Sequence, residues 1–166
     1  MELKLILFRH AQAEDESPRV SDHQRKLTAK GKEQATSTAR ALAESGYLPS
    51  LVLVSDAART LGTWEHAQGW LGDKAEVQAR HEIYTDDVRG LSRLISDLDM
   101  SKHPTVALIG HNPHISALAS VLTGHVMRFA KGQALALSLK ADSWAEAIND
   151  TGEWRIVADF GGKSGL

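Results

Sequence analysis

Three short apolar stretches in this sequence each run straight into a polar cluster. Residues 3–8 lead into Arg9-His10-Ala11, residues 51–54 into Ser55-Asp56-Ala57-Ala58-Arg59, and residues 105–109 into Gly110-His111-Asn112-Pro113-His114. Two guanidinium groups and two imidazoles in one pocket suit a phosphoryl dianion. Each Arg offers a planar fork matched to phosphate oxygens. Helix starts after the second and third clusters would add backbone N–H donors. A neutral imidazole can attack phosphorus near pH 7, and a second can donate to the transferring oxygens. Arg9 and Arg59 already supply positive charge, so this chemistry calls for no metal and no cofactor.

The clusters must be positioned by the elements around them. Residues 3–8, 51–54 and 105–109 are short, continuous apolar runs rich in strand formers, which fits strands buried on both faces. Residues 28–45 read as a helix with Thr28 as N-cap, Ala35, Ala39, Leu42 and Ala43 as its apolar stripe, and Gly46 as its stop. Gly31 in its first turn runs against helix propensity. Residues 57–71 form a second helix closed by Gly72, and 76–79 a short strand. A third helix covers 86–98, and a fourth begins at Pro113 and runs to about residue 122. Residues 134–139 and 154–159 read as strands that pair antiparallel at an edge, with the loop between them containing Asn149-Asp150-Thr151-Gly152. Residues 11–26 read as a polar loop.

Strands alternating with helices predict an α/β layer fold with a mostly parallel sheet. In such sheets ligands bind at the carboxyl ends of the strands. If the strands before the three clusters are neighbours, about 4.8 Å apart, then Arg9, His10, Arg59 and His111 converge.

Length and composition narrow the class. The 166 residues suit one domain spanning 1–166, and 42% hydrophobic with 24% charged residues is ordinary globular usage. A net charge of −2 gives no reason to expect nucleic acid or a membrane surface as partner. There is no Cys, which excludes thiol catalysis, disulfides and cysteine-ligated zinc. With no Cys and no export-type leader, the expected location is cytoplasmic. Of the eight His, His23, His66, His103 and His125 read as surface residues, and His81 as flanking the pocket. His111 and His114 are three apart, but zinc takes three or four ligands and no HExxH or carboxylate partner accompanies them. Trp64, Trp70, Trp144 and Trp154 read as core or rim anchors. The acidic run Glu14-Asp15-Glu16 reads as a solvated loop.

These residues, taken in order, resemble the histidine phosphatase superfamily, which includes cofactor-dependent phosphoglycerate mutases. Arg9-His10-Ala11 is similar to its R-H-G signature. Residues 22–31 resemble its D-x-x-R-x-L-T-x-x-G segment, and Ser55, Arg59 and Thr63 match S-x-x-x-R-x-x-x-T. Gly110-His111-Asn112 resembles the segment bearing the second His. The short length, the D-x-x-R segment and G-H-N-P point to the SixA-type phosphohistidine phosphatases. The resemblance implies a three-layer α/β/α, phosphoglycerate mutase-like fold with helices on both faces of the sheet. It implies that His10 takes the phosphoryl group and water releases it, while Arg9, Arg59 and His111 bind the oxygens. Arg25 and Asn112 follow as further substrate-binding candidates. Two positions depart from the family pattern: Ala11 stands where Gly is usual, and Asp56 where many relatives have Pro.

Phosphoester cleavage expels a poor leaving group and wants a general acid. Some relatives place Asp directly after the second His, where this chain has Asn112, and others use a Glu between the second and third motifs, for which Glu82 is the candidate. Without an acid, good leaving groups are favoured, and a phosphorylated imidazole is one. The expected function is therefore a metal-independent phosphatase acting on phosphohistidine proteins of the histidine phosphotransfer type. The alternatives are a broad small-molecule phosphomonoesterase acting on phosphate esters, and a non-catalytic phosphate-recognition module.

Overall fold

The structure, a computed structural model, describes residues 1–161. Its elements in chain order are β1 (Glu2–Arg9), α1 (Ala29–Glu44), β2 (Leu51–Ser55), α2 (Ala58–Leu71), β3 (Glu76–Arg80), α3 (Glu82–Thr85), α4 (Val88–Ser96), β4 (Thr105–Gly110), α5 (His114–Thr123), β5 (Ala134–Lys140), α6 (Trp144–Asn149) and β6 (Arg155–Phe160). A 3-10 turn, Asp22–Gln24, lies in the long connection between β1 and α1. The six strands form one sheet in the order β3-β2-β4-β1-β5-β6. The first four in that order run parallel, and β5 and β6 add an antiparallel edge.

Side chains in a strand alternate between faces, and β1 shows what that does here. Leu3, Leu5 and Leu7 enter a core shared with Leu91 and Ile95 of α4, Ile115 and Leu118 of α5, and Trp144 of α6. Ile6 and Phe8 enter another shared with Ala39 and Leu42 of α1 and Trp64 and Leu71 of α2. The sheet is thus covered on both sides, giving three layers. Burying each Leu or Phe stabilises by roughly 1.5–3 kcal/mol before entropy is counted.

The sheet order decides where the chemistry goes. Arg9 pairs with Gly110 and Val54 with Ile109, so β2, β4 and β1 end side by side with β4 in the middle. The backbone carries this register past the strands: His10 N–H donates to Gly110 O at 3.1 Å.

Two stretches differ from the sequence expectation. The helix expected over 86–98 is α4, shorter at both ends, and the separate four-residue α3 precedes it. The Asp87 carboxylate accepts from Arg89 N and Gly90 N at 3.0 and 3.3 Å, capping a fresh start. The loop expected before β6 contains α6, six residues long and too short for periodicity to reveal. It is held by its Ser143 cap, which accepts from Glu146 N, and by Trp144, whose ring stacks on Trp154 at 6.1 Å.

Gly31, unfavourable by helix propensity, is explained by packing. A Cβ there would lie 2.0 Å from Gln12 O. The first turn of α1 therefore rests directly on the backbone two residues beyond His10. Thr28 closes the same junction, since its N–H donates to Gln12 O at 3.1 Å and its Oγ1 to Gln12 Oε1 at 2.8 Å.

Candidate active site

The ends of β1, β2 and β4 open into a cavity of about 410 Å³ lined by Arg9, His10, Ala13, Asp15, Glu16, Asp22, Arg25, Arg59, His111, Asn112 and Lys131. His10 and His111 face one another with ring centroids 5.4 Å apart. Each ring is fixed by a different partner, which gives the two imidazoles opposite capacities.

His10 Nδ1 lies 2.7 Å from Ala11 O. A carbonyl only accepts, so Nδ1 carries the proton and Nε2 keeps its lone pair. Burial lowers the His10 pKa from 6.5 to about 4, and the charges of Arg59 and Arg9 add to that, outweighing the opposing carbonyl contact. The ring is neutral at pH 7, as a nucleophile requires. Ala11, standing where the family has Gly, has an ordinary φ. Its methyl packs against Leu27 and Ala35, and its N–H donates to Thr63 Oγ1 at 3.0 Å.

His111 Nε2 lies 2.7 Å from Ser55 Oγ. That hydroxyl also accepts from Ala57 N at 3.3 Å, and His111 Nε2 is the acceptor within its reach, so its proton goes to Nε2 and His111 carries its hydrogen on Nδ1. Burial, with the nearby Arg59 charge, lowers the His111 pKa to about 3. His111 is thus a neutral donor where His10 offers a lone pair.

Arg9 Nη1 donates to Phe129 O at 2.8 Å. Arg59 Nη1 donates to Asp22 O at 2.8 Å and Nη2 to Asp22 Oδ2 at 3.1 Å. Asp22 also receives Arg25 through Nε and Nη2 at 3.1 and 2.9 Å, and the Tyr84 hydroxyl at 2.8 Å. Burial pushes the Asp22 carboxyl up, but the hydrogen bonds from Tyr84 and Arg25 and the charge of Arg59 more than offset it. The group sits far below the usual carboxylate range.

Among the described residues, the buried side-chain nitrogens or oxygens without a hydrogen-bond partner are Arg9 Nε, Arg59 Nε and His111 Nδ1. Leaving a buried donor unpaired costs about 1–3 kcal/mol. All three belong to the residues around this cavity. A tetrahedral oxyanion, with oxygens to spare, is the ligand such a donor set fits.

The structure therefore brings Arg9, His10, Arg59, His111, Arg25 and Asn112 together. Arg25 lines the cavity through its pairing with Asp22 and its Nη1 bond to Glu14 O at 2.6 Å. The Asn112 amide donates to Phe129 O at 3.1 Å and accepts from Ser116 Oγ at 2.6 Å. It thereby fixes the same carbonyl that receives Arg9.

Glu82 is not brought in. Its carboxylate pairs with Arg80, whose hydrogen bond and charge hold it below its usual range, and it does not line the cavity. Tyr84, two residues on, is the member of that segment that reaches the site, packing edge-on to His111 at 5.5 Å. Sequence reasoning missed Tyr84 and Lys131. The former lies two residues beyond the more tempting carboxylate of Glu82, and the latter carries no pattern at all.

Fold and cavity together define a three-layer α/β protein with an oxyanion pocket built on two histidines. Residues 5–94 match the histidine phosphatase superfamily (branch 1), and the chain belongs to that family. It is 29% identical to an uncharacterized chloroplastic protein of Arabidopsis thaliana, over 92% of this chain and 75% of that one. Among solved structures it resembles the putative phosphohistidine phosphatase SixA from Nakamurella multipartitia, at 26% identity, covering 99% of this chain and 98% of that one with a TM-score of 0.81. The corresponding SixA protein from Agrobacterium tumefaciens is similar at 24% identity, 95% and 97% coverage and a TM-score of 0.80. A protein histidine phosphatase SixA complexed with tungstate matches at 20% identity, 96% and 97% coverage and the same TM-score. Family and fold assign the chain phosphatase chemistry. Among the described residues no helix is long and apolar enough to cross a membrane.

Proposed function

We propose that this protein hydrolyses phosphohistidine on a partner protein through a phosphorylated His10, with no metal at the reacting phosphorus. The carrying observation is the set of orphaned donors, Arg9 Nε, Arg59 Nε and His111 Nδ1, gathered with the free lone pair of His10 Nε2. Arg9, Arg59 and His111 hold the equatorial oxygens. Nε2 attacks phosphorus in line, the P–N bond to the substrate imidazole breaks, and that imidazole, protonated beforehand by solvent on its other ring nitrogen, departs neutral. Water then attacks phospho-His10, releasing phosphate and restoring the ring. Preorganised donors of this kind lower the barrier because they need not reorient as charge develops. The tungstate held by the similar SixA structure is an oxyanion of the same type.

The leaving group selects the substrate class. Asp22 is held ionised by Arg25, Arg59 and Tyr84, Glu82 faces Arg80, and Asp15 and Glu16 are exposed on the rim. None is the buried, protonated carboxyl that expelling an alkoxide favours. A phosphoramidate needs no such acid. This favours a phosphorylated histidine phosphotransfer-type protein over small phosphate esters, and a competent nucleophile favours an enzyme over a phosphate-recognition module.

The test is turnover across a phosphohistidine protein and a panel of alkyl and aryl phosphates, with rapid quenching to trap an acid-labile phosphoenzyme. The expected order is phosphohistidine, then aryl, then alkyl phosphate. Faster turnover of alkyl phosphates than of phosphohistidine would overturn the substrate assignment.

A further inference from the structure

Beside the phosphate pocket, His23, Asp56 and His81 form a second cluster that the phosphatase chemistry does not use. His23 Nε2 lies 2.8 Å from Asp56 Oδ1, and His81 Nδ1 lies 2.8 Å from Asp56 Oδ2. One donor atom from each of the three residues falls within 4.8 Å of the others. The residues come from three separate pieces of chain: the Asp22–Gln24 turn, the β2–α2 junction and the residue preceding α3. None of the three lines the phosphate cavity. Asp56 occupies the position where many relatives of the motif carry Pro, so the carboxylate belongs to this chain's own departure from the family pattern.

We propose that His23, Asp56 and His81 bind a divalent transition ion of the Zn2+ class. Two imidazoles and one carboxylate are a donor set that zinc accepts, with water completing a tetrahedron. Zinc at 2.0–2.1 Å from each donor sets donors about 3.3 Å apart, and the donor atoms here already lie within 4.8 Å of one another. The three side chains are half-buried to exposed, with His81 the most open at 61%. A groove lined by Glu14, His23, Gln24 and Asp56 gives an ion and its water an entry path.

Binding reaches the phosphate site through the backbone that carries the ligands. The turn bearing His23 also bears Asp22, the partner of Arg59 and Arg25. The segment after His81 carries Tyr84, which donates to Asp22 and packs on His23 at 4.8 Å. An ion would tie these pieces together at the rim while leaving the reacting phosphorus untouched. It would act as a clamp and not as a Lewis acid.

Equilibrium dialysis with Zn2+ and titration with Co2+ on the metal-stripped full chain test this. The expected result is one equivalent bound, a four-coordinate Co2+ visible spectrum and a raised Tm with Zn2+. Asp56→Ala and His81→Gln should each weaken binding by at least the roughly 10–100-fold that even outer-shell losses cause at metal sites. His81 is exposed, so His81→Gln remains folded and decides the matter if Asp56→Ala does not. His10→Ala should bind as wild type does. No stoichiometric binding, or binding that survives His81→Gln, would overturn the proposal. So would binding lost in His10→Ala, which would place the ion in the phosphate pocket. None of these readouts depends on phosphatase turnover, so this inference and the proposed function fail separately.

Discussion

The molecule holds two pairs of histidines a short distance apart, and they differ in every property except residue type. His10 is buried and His111 half-buried, and both are neutral and fixed by a carbonyl and a hydroxyl, with Arg9 and Arg59 around them. His23 and His81 are more open and both turn to the carboxylate of Asp56. In the first pair burial and positive neighbours strip the proton, leaving one lone pair and one unpaired N–H beside a cavity. In the second pair a negative neighbour gathers both rings around one point. An imidazole's chemistry is thus set by what its two nitrogens face, and Tyr84 is the wall between the settings, in contact with His23, His81 and His111.

The largest effect that sharpens this comparison is expected at His10. His10→Ala should remove the phosphoenzyme and slow turnover about 10³-fold or more, measured by steady-state kinetics and acid-labile phosphate. The matching change His23→Ala, at a ring that does not line the cavity, should leave turnover within about threefold. Equal losses at the two positions would erase the distinction.

Arg59→Ala removes one preorganised oxyanion donor and the partner of Asp22, so kcat/KM should fall about 10²–10³-fold. Burial alone would be a weak reason for this Arg, and a loss below about tenfold would show that Arg9 and His111 hold the oxygens without it.

The pH profile distinguishes the pairs next. His10 titrates at about 4 in the folded chain against an ordinary 6.5. The acid limb of kcat/KM should therefore lie near pH 4 and leave the rate at pH 5.5 nearly full. A limb near 6.5 would mean an accessible, ordinary histidine. Stability follows with the opposite reading of the same shift. The unfolded chain takes up the proton first as pH falls, so the stability owed to neutral His10 is complete above about 6.5. It declines toward pH 4, by about 3 kcal/mol in all, which denaturant titrations at several pH values would measure.

The smallest effect is expected at Glu82. Paired with Arg80 and outside the cavity, its replacement in Glu82→Gln should change alkyl and aryl phosphate turnover by less than about twofold. Selective loss of alkyl phosphate turnover would make it the general acid after all.

Much of the site was legible before the fold. Arg9, His10 and His111 stand at or just beyond the end of an apolar strand, and Arg59 lies in the first turn of the helix that follows one. The D-x-x-R-x-L-T-x-x-G segment was legible as a pattern, but its reasons were not. Only packing shows that Asp22 is the carboxylate holding Arg59 and Arg25, or that Gly31 must lack a side chain because Gln12 O lies against it. Glu82 stays outside the site and Tyr84 packs on His111 for a similar reason. In a four-residue helical turn one position meets the site and another does not, and local sequence does not say which. The start of α4 turned on the Asp87 cap, a hydrogen bond from Arg89 N that the apolar period of 86–98 does not reveal.

By itself the sequence determined the alternation of strands and helices, the absence of any thiol and the candidates for phosphate chemistry. These depend on residue type and short-range spacing. The tertiary structure decided that β4 lies between β2 and β1, so that His111 meets both Ser55 and His10. It decided which imidazole nitrogen each partner occupies, and so which histidine offers a lone pair and which a proton. It also joined His23, Asp56 and His81 from three distant segments. Such meetings are fixed by the order in which strands pair, a long-range property that no local window of residues contains.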